Sequence, residues 1–216
     1  MKVYPIFLVG LADRRCIVIG GGEEAQRKVE GLLECEAAVI VISVAITQQL
    51  SAWNAQGRIT WVKRDYRPGD LHDAFMVIAT GTQRNTSDRI WQEATAEGAL
   101  INVVDDVPHC NFIAGAVARQ GPLTIAISTS GCAPALAVRL RERFEREFGP
   151  EYKVLLELLA GLREPLAARY PDFEERRERW YALVDSDVLN LLRQDKPDLA
   201  RQRIAQIVKD GVPHSM

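Results

Sequence analysis

The chain has 216 residues, with 27 Lys and Arg against 29 Asp and Glu, and a formal net charge of −2. That balance argues against a nucleic-acid binder, which carries a basic excess, and no apolar run is long enough to cross a bilayer. At 47% hydrophobic and 26% charged residues, the chain can bury the core of one or two domains and lacks the composition of a disordered chain. The opening stretch 1–15 has a short apolar run, but Pro5 interrupts it and no small-residue cleavage site follows. It reads as an opening β-strand and not as a signal peptide, and the expected compartment is the cytoplasm.

The first hundred residues alternate strand and helix signals. Residues 16–19 form a continuous apolar run, as in a strand buried on both faces. Residues 23–34 have helical character, with Ala25, Val29, Leu32 and Leu33 on one face. Residues 39–42 read as a second strand, and Thr47 as the N-cap of a helix running to about Gln56. A third strand is expected at 59–62, a Pro68-Gly69 loop after it, and a fourth strand at 75–79. A helix at 85–97 ends at Gly98, and 100–104 is a fifth strand. Repeated β-α-β units of this size predict a Rossmann-like α/β fold, a parallel sheet with helices on both faces.

Beyond residue 110 the pattern changes. Residues 112–118 and 123–129 are strand-like, and Gln120, Gly121 and Pro122 between them signal a β-hairpin. Pro134 suits the first turn of a helix running to about Glu147, which Gly149 and Pro150 stop. The remainder has no strand signal and carries helical segments at roughly 152–169, 173–194 and 197–209. The charge run 174–179 reads as a solvated helix face. Three regions follow: 1–111, a dinucleotide-binding domain; 112–149, a hairpin and helix; and 150–216, a C-terminal helical domain.

The four cysteines, Cys16, Cys35, Cys110 and Cys132, form no C-x-x-C pair, and the three histidines, His72, His109 and His214, form no cluster. They read as free thiols and isolated rings, and no metal site is expected from a local motif.

Gly20, Gly21, Gly22, Glu23, Glu24 and Ala25 have the form G-x-G-x-x-A, between an expected strand and an expected helix. Gly20 permits a tight turn, Gly22 lets a pyrophosphate approach the backbone, and small Ala25 lets the helix pack on the sheet. The helix N-terminus offers N–H groups to phosphate, so this context marks a dinucleotide site and not merely a turn. The acidic residue expected after the second strand is missing. Ser43 occupies that region, and no Arg replaces it, which leaves NAD and NADP both open. Thr80 and Gly81 end the fourth strand at the edge where such a sheet holds its ligand, as a cofactor lining or an ordinary loop. Asp105 and Asp106 follow the fifth strand at that edge, either as a catalytic pair or as solvated capping groups.

Taken together, these blocks resemble the precorrin-2 dehydrogenase/sirohydrochlorin ferrochelatase family, which also forms the N-terminal part of siroheme synthases. The resemblance is carried by Tyr4-Pro-Ile-Phe7, the glycine run with Ala25, Arg27 and Lys28, Asn102-Val-Val-Asp105, Asn111-Phe-Ile113, the stretch 121–129, and Pro134-Ala-Leu-Ala137. It implies NAD-dependent oxidation of precorrin-2 to sirohydrochlorin and, in some members, Fe²⁺ insertion to siroheme. It further implies a homodimer that exchanges the hairpin and the following helix. By motif match, Asp105 is the catalytic aspartate, and Asn102 and the glycine run lie on the cofactor side. Ser128, Thr129, Ser130 and Arg119 fall near the expected tetrapyrrole site, with Lys28, Arg139 and Arg141 as further cations for its carboxylates. Gly115 stands where the family has Pro, Ser130 where it has Gly, and Ala133 where Ser or Thr is common. The competing class is a nucleotide-sensing regulatory module. It accounts for 1–110 but not for the hairpin, the Ser-Thr-Ser-Gly loop and the helical tail.

Overall fold

The fold is that of a computed structural model, which describes residues 2–210. His214 and the end of the C-terminal region lie outside the described residues. The chain divides into two compact units, one covering Tyr4–Ala114 and the other formed by residues 1–3 and the chain from Gly115 onward.

In the first unit, five parallel strands, β1 (Arg15–Ile19), β2 (Ala38–Ile42), β3 (Ile59–Val62), β4 (Met76–Ala79) and β5 (Leu100–Val103), form a sheet in the order β3-β2-β1-β4-β5. Three helices accompany them: α1 (Glu23–Leu33), α2 (Gln48–Ala55) and α3 (Arg84–Ala96). Alternate side chains of β1 serve two cores. Cys16 and Val18 pack with Ala25, Val29, Leu50 and Trp53 of α1 and α2, whereas Ile17 and Ile19 pack with Ile90 and Ala94 of α3. Because every strand except β3 is buried on both faces, these segments read as continuous apolar runs. Thr47 caps α2 as expected, its hydroxyl accepting from the Leu50 amide at 3.2 Å.

The strand order reverses between β1 and β4. The chain leaves β1 toward β2 and β3 on one side, then crosses back to place β4 and β5 on the other. The crevice above the carboxyl ends of these two strands is where this topology holds a ligand.

The opening segment departs from the sequence reading. Among the described residues no strand forms before β1, and Tyr4, Phe7 and Val9 are 87%, 68% and 89% exposed. Pro5 cannot donate to a ladder, and no strand pairs with this stretch.

In the second unit, β6 (Ala116–Gln120) and β7 (Leu123–Ile127) form an antiparallel hairpin, and α4 (Pro134–Glu147) follows with Pro134 in its first turn. The first hairpin strand begins four residues later than its apolar run suggested. Residues 110–112 are held along β5 instead, through the Asn102–Cys110 bridge and the Asn111 side chain. The tail is also more broken than its leucine pattern suggested, comprising α5 (Glu151–Ala160), α6 (Arg163–Arg169), α7 (Phe173–Val184), α8 (Val188–Arg193) and α9 (Pro197–Asp210). Gly161 separates α5 from α6. Ser186 ends α7 and starts α8, its hydroxyl donating to the Leu183 carbonyl and accepting from the Val188 amide. Leu155, Leu159, Leu166, Leu183, Val188 and Ile204 form the core of these helices.

Candidate dinucleotide and catalytic site

Three strand ends converge on the glycine run. Gly20 follows β1 with φ +114°, a conformation that side chains rarely adopt. A Cβ there would overlap the Thr80 hydroxyl and lie 2.7 Å from the Thr80 carbonyl oxygen. Thr80, buried at the end of β4, donates to the Ile19 carbonyl from its amide at 2.8 Å and its hydroxyl at 3.2 Å. Gly21 is enclosed on the β2 side. Its carbonyl accepts from the Thr47 amide, and a Cβ would overlap the Ala45 carbonyl oxygen and lie 2.8 Å from the Ser43 hydroxyl.

Gly22 differs from both. It caps α1 with extended backbone (φ −82°), and nothing lies within 4 Å of where its Cβ would be. The first α1 hydrogen bond runs from the Gln26 amide to the Gly22 carbonyl, so the preceding amides are left to meet an anion. Ala25, on the buried face of α1, is fully buried. A closed first glycine, an open third glycine and a buried Ala25 fit a pyrophosphate approaching the backbone at Gly22.

The two acids that follow diverge. Glu23 lines a cleft of about 660 Å³ with Gln26, Arg27, Thr47 and Gln48. Glu24 lines a second cleft of about 480 Å³ with Gly81, Thr82, Val104 and Asp105. Glu24 also pairs with Arg27 and, at 3.2 Å, with Lys28; the Arg27 hydrogen bond holds its carboxyl below the ordinary range. Ser43 turns into its own loop, donating to the Ala45 carbonyl at 2.7 Å.

Asp105 stands on a tight turn beyond β5, closed by the Asp106 amide donating to the Val103 carbonyl at 3.1 Å. Its φ is +63°, a left-handed conformation that Asp and Asn tolerate better than other non-glycine residues. It is exposed, and no hydrogen bond or ion pair engages its carboxylate among the described residues. Asp106 is engaged, its carboxylate 2.8 Å from His109 Nδ1. Asn102 is buried in β5 and donates to the Phe112 carbonyl at 3.1 Å, so its amide holds the returning segment.

The Cys110 thiol lies under the same turn and donates to the Val103 and Asp106 carbonyls, both at 3.3 Å, and burial pushes its pKa up. That is the setting of a structural thiol, not a reactive one. Among the described residues, the one group with three metal-capable atoms close together is His72, Asp73 and Glu97. It is exposed and sits at the amino ends of β4 and β5, away from the site's edge.

The remaining expected residues lie in the second unit. Ser128, Thr129 and Ser130 form the loop between β7 and α4. Ser128 accepts from the Ser130 amide at 3.1 Å and Thr129 from the Ala133 amide at 3.2 Å, so two of the three hydroxyls order the loop itself. Ser130 has φ +54°, which accounts for glycine being the family's usual residue there. A Cβ on Gly115 would lie 2.5 Å from the Ile127 carbonyl oxygen, so this hairpin has no room for the family's proline. Arg119 stands opposite Thr124 in the hairpin. The other candidate cations have partners on their own helices: Arg139 with Glu142, Arg141 with Glu145 and Lys28 with Glu24. Sequence reasoning missed Glu24 and Thr82 as lining residues, and Asp88 and Trp91 as neighbours of His109. The last two are on α3, and no local spacing connects them to the turn after β5.

Comparison with known proteins agrees with this architecture. The family model described as "Putative NAD(P)-binding" matches residues 7–116, that for the sirohaem biosynthesis protein central region matches 120–147, and that for the sirohaem synthase dimerisation region matches 151–208. The siroheme synthase of Pseudoalteromonas translucida (strain TAC 125) is 31% identical over 208 residues, and that of Thioalkalivibrio sulfidiphilus (strain HL-EbGR7) is 33% identical over 212. These alignments take in 96% and 98% of this chain but 44% and 43% of the relatives, so the chain spans less than half the length of the curated relatives it matches. A solved structure titled SirC, precorrin-2 dehydrogenase shares the fold, with a TM-score of 0.76 at 22% identity over 94% of this chain and all of that one. With the glycine run, the reversed sheet order and the three matched regions in one continuous order, the chain belongs to the siroheme synthase family, of which it carries the NAD(P)-binding, central and dimerisation regions.

Proposed function

We propose that the chain oxidises precorrin-2 to sirohydrochlorin with NAD as hydride acceptor, as a cytoplasmic homodimer. The observation that carries the reading is the cleft that Asp105 shares with Gly81 and with Glu24 on the first turn of α1. A carboxylate without internal partners stands there beside the loop suited to a dinucleotide. Similarity to siroheme synthases and to a solved precorrin-2 dehydrogenase of the same fold supports this reading.

The oxidation removes a hydride and a proton from the macrocycle. When bound, the nicotinamide supplies the hydride acceptor. Gly22 and the first amides of α1 hold the pyrophosphate, while closed Gly20 keeps that loop against Thr80. Asp105 receives the proton on a carboxylate oxygen, as a general base at the sheet edge. The proposed substrate-side residues are Ser128, Thr129, Ser130 and Arg119. Sirohydrochlorin metallation requires loss of pyrrole protons, for which Asp105 is again the available acceptor, with Fe²⁺ as the second substrate.

NAD is the nucleotide proposed: residues 43–47 after β2 carry no cation for a 2′-phosphate, and in the adjoining cleft Arg27 is paired with Glu24 while Glu23 adds a further carboxylate. The three-part division 1–111, 112–149 and 150–216 is kept as the division of labour: cofactor, hairpin exchange and helical support. A two-stranded hairpin is marginal by itself, which supports its pairing with a second copy. Anaerobic precorrin-2 with NAD or NADP, followed by absorbance of the macrocycle and the reduced nucleotide, tests the reaction. Parallel Fe²⁺ addition to sirohydrochlorin tests the second step, and light scattering tests the dimer. Cofactor binding without turnover would favour the sensory module.

A further inference from the structure

The turn that carries Asp105 is closed by backbone bonds from the Asp106 amide to Val103, the His109 amide to Asp106 and the Cys110 amide to Val107, and side chains anchor both its flanks. Asn111 ties the returning segment to β5, its side-chain Oδ1 accepting from the Ile101 amide at 2.7 Å and its Nδ2 donating to the Ala99 carbonyl at 2.9 Å. The Cys110 thiol reaches the Val103 and Asp106 carbonyls. Between these anchors, the left-handed Asp105 and the short 3₁₀ turn Val107–His109 project from the sheet edge. One side chain links this projection to another element. His109 Nδ1 lies 2.8 Å from the Asp106 carboxylate, and its Nε2 lies 2.9 Å from the carboxylate of Asp88 on α3. Trp91, three residues along α3, meets the ring edge-on with centroids 6.0 Å apart.

Resting on the reading of Asp105 as proton acceptor, we propose that His109 is a positioning residue that fixes the Asp105 turn against α3 by donating to two carboxylates at once. A neutral imidazole has one N–H, so its second nitrogen would present a lone pair to a carboxylate; the doubly protonated ring satisfies both. Charge-assisted bonds of this kind are short and directional. Asp106 is thereby occupied by the ring, which leaves Asp105 as the member of the acidic pair without an internal partner among the described residues. The Trp91 contact supplies shape but no donor, so packing and donation are separable by substitution.

Three substitutions test the assignment in the full chain. His109→Phe keeps a ring against Trp91 and removes both donors. His109→Arg restores two donors without the ring. Asp88→Asn weakens the α3 arm alone. His109→Phe is expected to lower kcat for precorrin-2 oxidation by about 10- to 100-fold, since small misplacement of a reacting group has costs of that size. NAD affinity should stay unchanged, and amide exchange at 104–110 should rise. His109→Arg should recover most of the rate and the slow exchange, and Asp88→Asn should move both in the direction of Phe. If His109→Phe fails to fold, Asp88→Asn carries the same test on a half-exposed position. Wild-type kcat and exchange in His109→Phe, or in Asp88→Asn where Phe does not fold, overturn the inference. So does an Arg variant as slow as Phe with normal exchange. Asp105→Asn separates the two readings. If it is slow while His109→Phe is not, only the positioning role falls. If it turns over near normally, the proton-acceptor role falls and the catalytic meaning of the clip falls with it.

Discussion

Gly20 and Gly22 are two residues apart in one motif, yet the structure gives them opposite sensitivities. An alanine at Gly20 must hold φ at +114° and place its Cβ into the Thr80 hydroxyl, 2.7 Å from a backbone carbonyl that cannot move without disturbing β4. The left-handed backbone costs roughly 1–2 kcal/mol, and overpacking adds about 1–3 kcal/mol. Gly20→Ala should therefore lower stability by about 2–5 kcal/mol, a fall in Tm of roughly 4–20 °C for a chain of this size. At Gly22, φ is −82° and the Cβ position is open, so Gly22→Asp should leave Tm within a few degrees. Its carboxylate would stand where the pyrophosphate approaches, and a loss of at least 1.4 kcal/mol, about tenfold in NAD affinity, is expected. Thermal unfolding and calorimetric NAD titration of both variants give the comparison. A Gly20→Ala protein as stable as the parent would refute the packing argument. Unchanged NAD affinity in folded Gly22→Asp would show that the open glycine faces no phosphate.

Three further outcomes follow from local geometry. The Arg64 guanidinium, at 2.7 Å, holds the Asp70 carboxyl below its ordinary value, so the stability it contributes is complete above that value and is lost as pH falls through the depressed one; Asp70→Asn should reduce stability at neutral pH and flatten the acid limb of unfolding. Cys110→Ser should keep precorrin-2 oxidation within a few-fold of the parent, because a hydroxyl can donate to one of the same carbonyls and the half-buried thiol, its pKa raised, has the setting of a structural group. Ser130→Gly should raise Tm slightly by relieving φ +54°, by about 1 kcal/mol or less, a change visible in thermal unfolding.

Much of the cofactor half was legible because its signals are local. Buried parallel strands make continuous apolar runs, and the glycine run follows one of them directly, so β1, α1 and the role of Ala25 could be read from adjacent residues. The hairpin turn and the Thr47 cap were legible for the same reason. The opening strand failed because apolar residues 6–9 have strand composition but no neighbouring strand to pair with. The start of β6 was misplaced because Asn111 and Phe112 follow β5, which apolar periodicity does not report. The helical tail was read as too few elements because Ser186 and Gly161 interrupt it without a proline. The Asp88–His109–Asp106 link depends on α3 crossing beside the end of β5, a tertiary fact with no sequence spacing. Ser43 marks another limit: a residue that turns inward, without charge, leaves the nucleotide's 2′ position unannounced.

The central claim, that Asp105 receives the proton as precorrin-2 is oxidised, is tested most directly by anaerobic single-turnover oxidation with NAD in the parent and in Asp105→Asn. Asparagine keeps the side-chain volume and tolerates φ +63°, so the turn and NAD binding should persist. The parent should form sirohydrochlorin and NADH in equal amounts, and the variant should do so about 10²–10⁴-fold more slowly, the usual contribution of a general base. Parent-like rates in a folded, NAD-binding Asp105→Asn protein would contradict the claim.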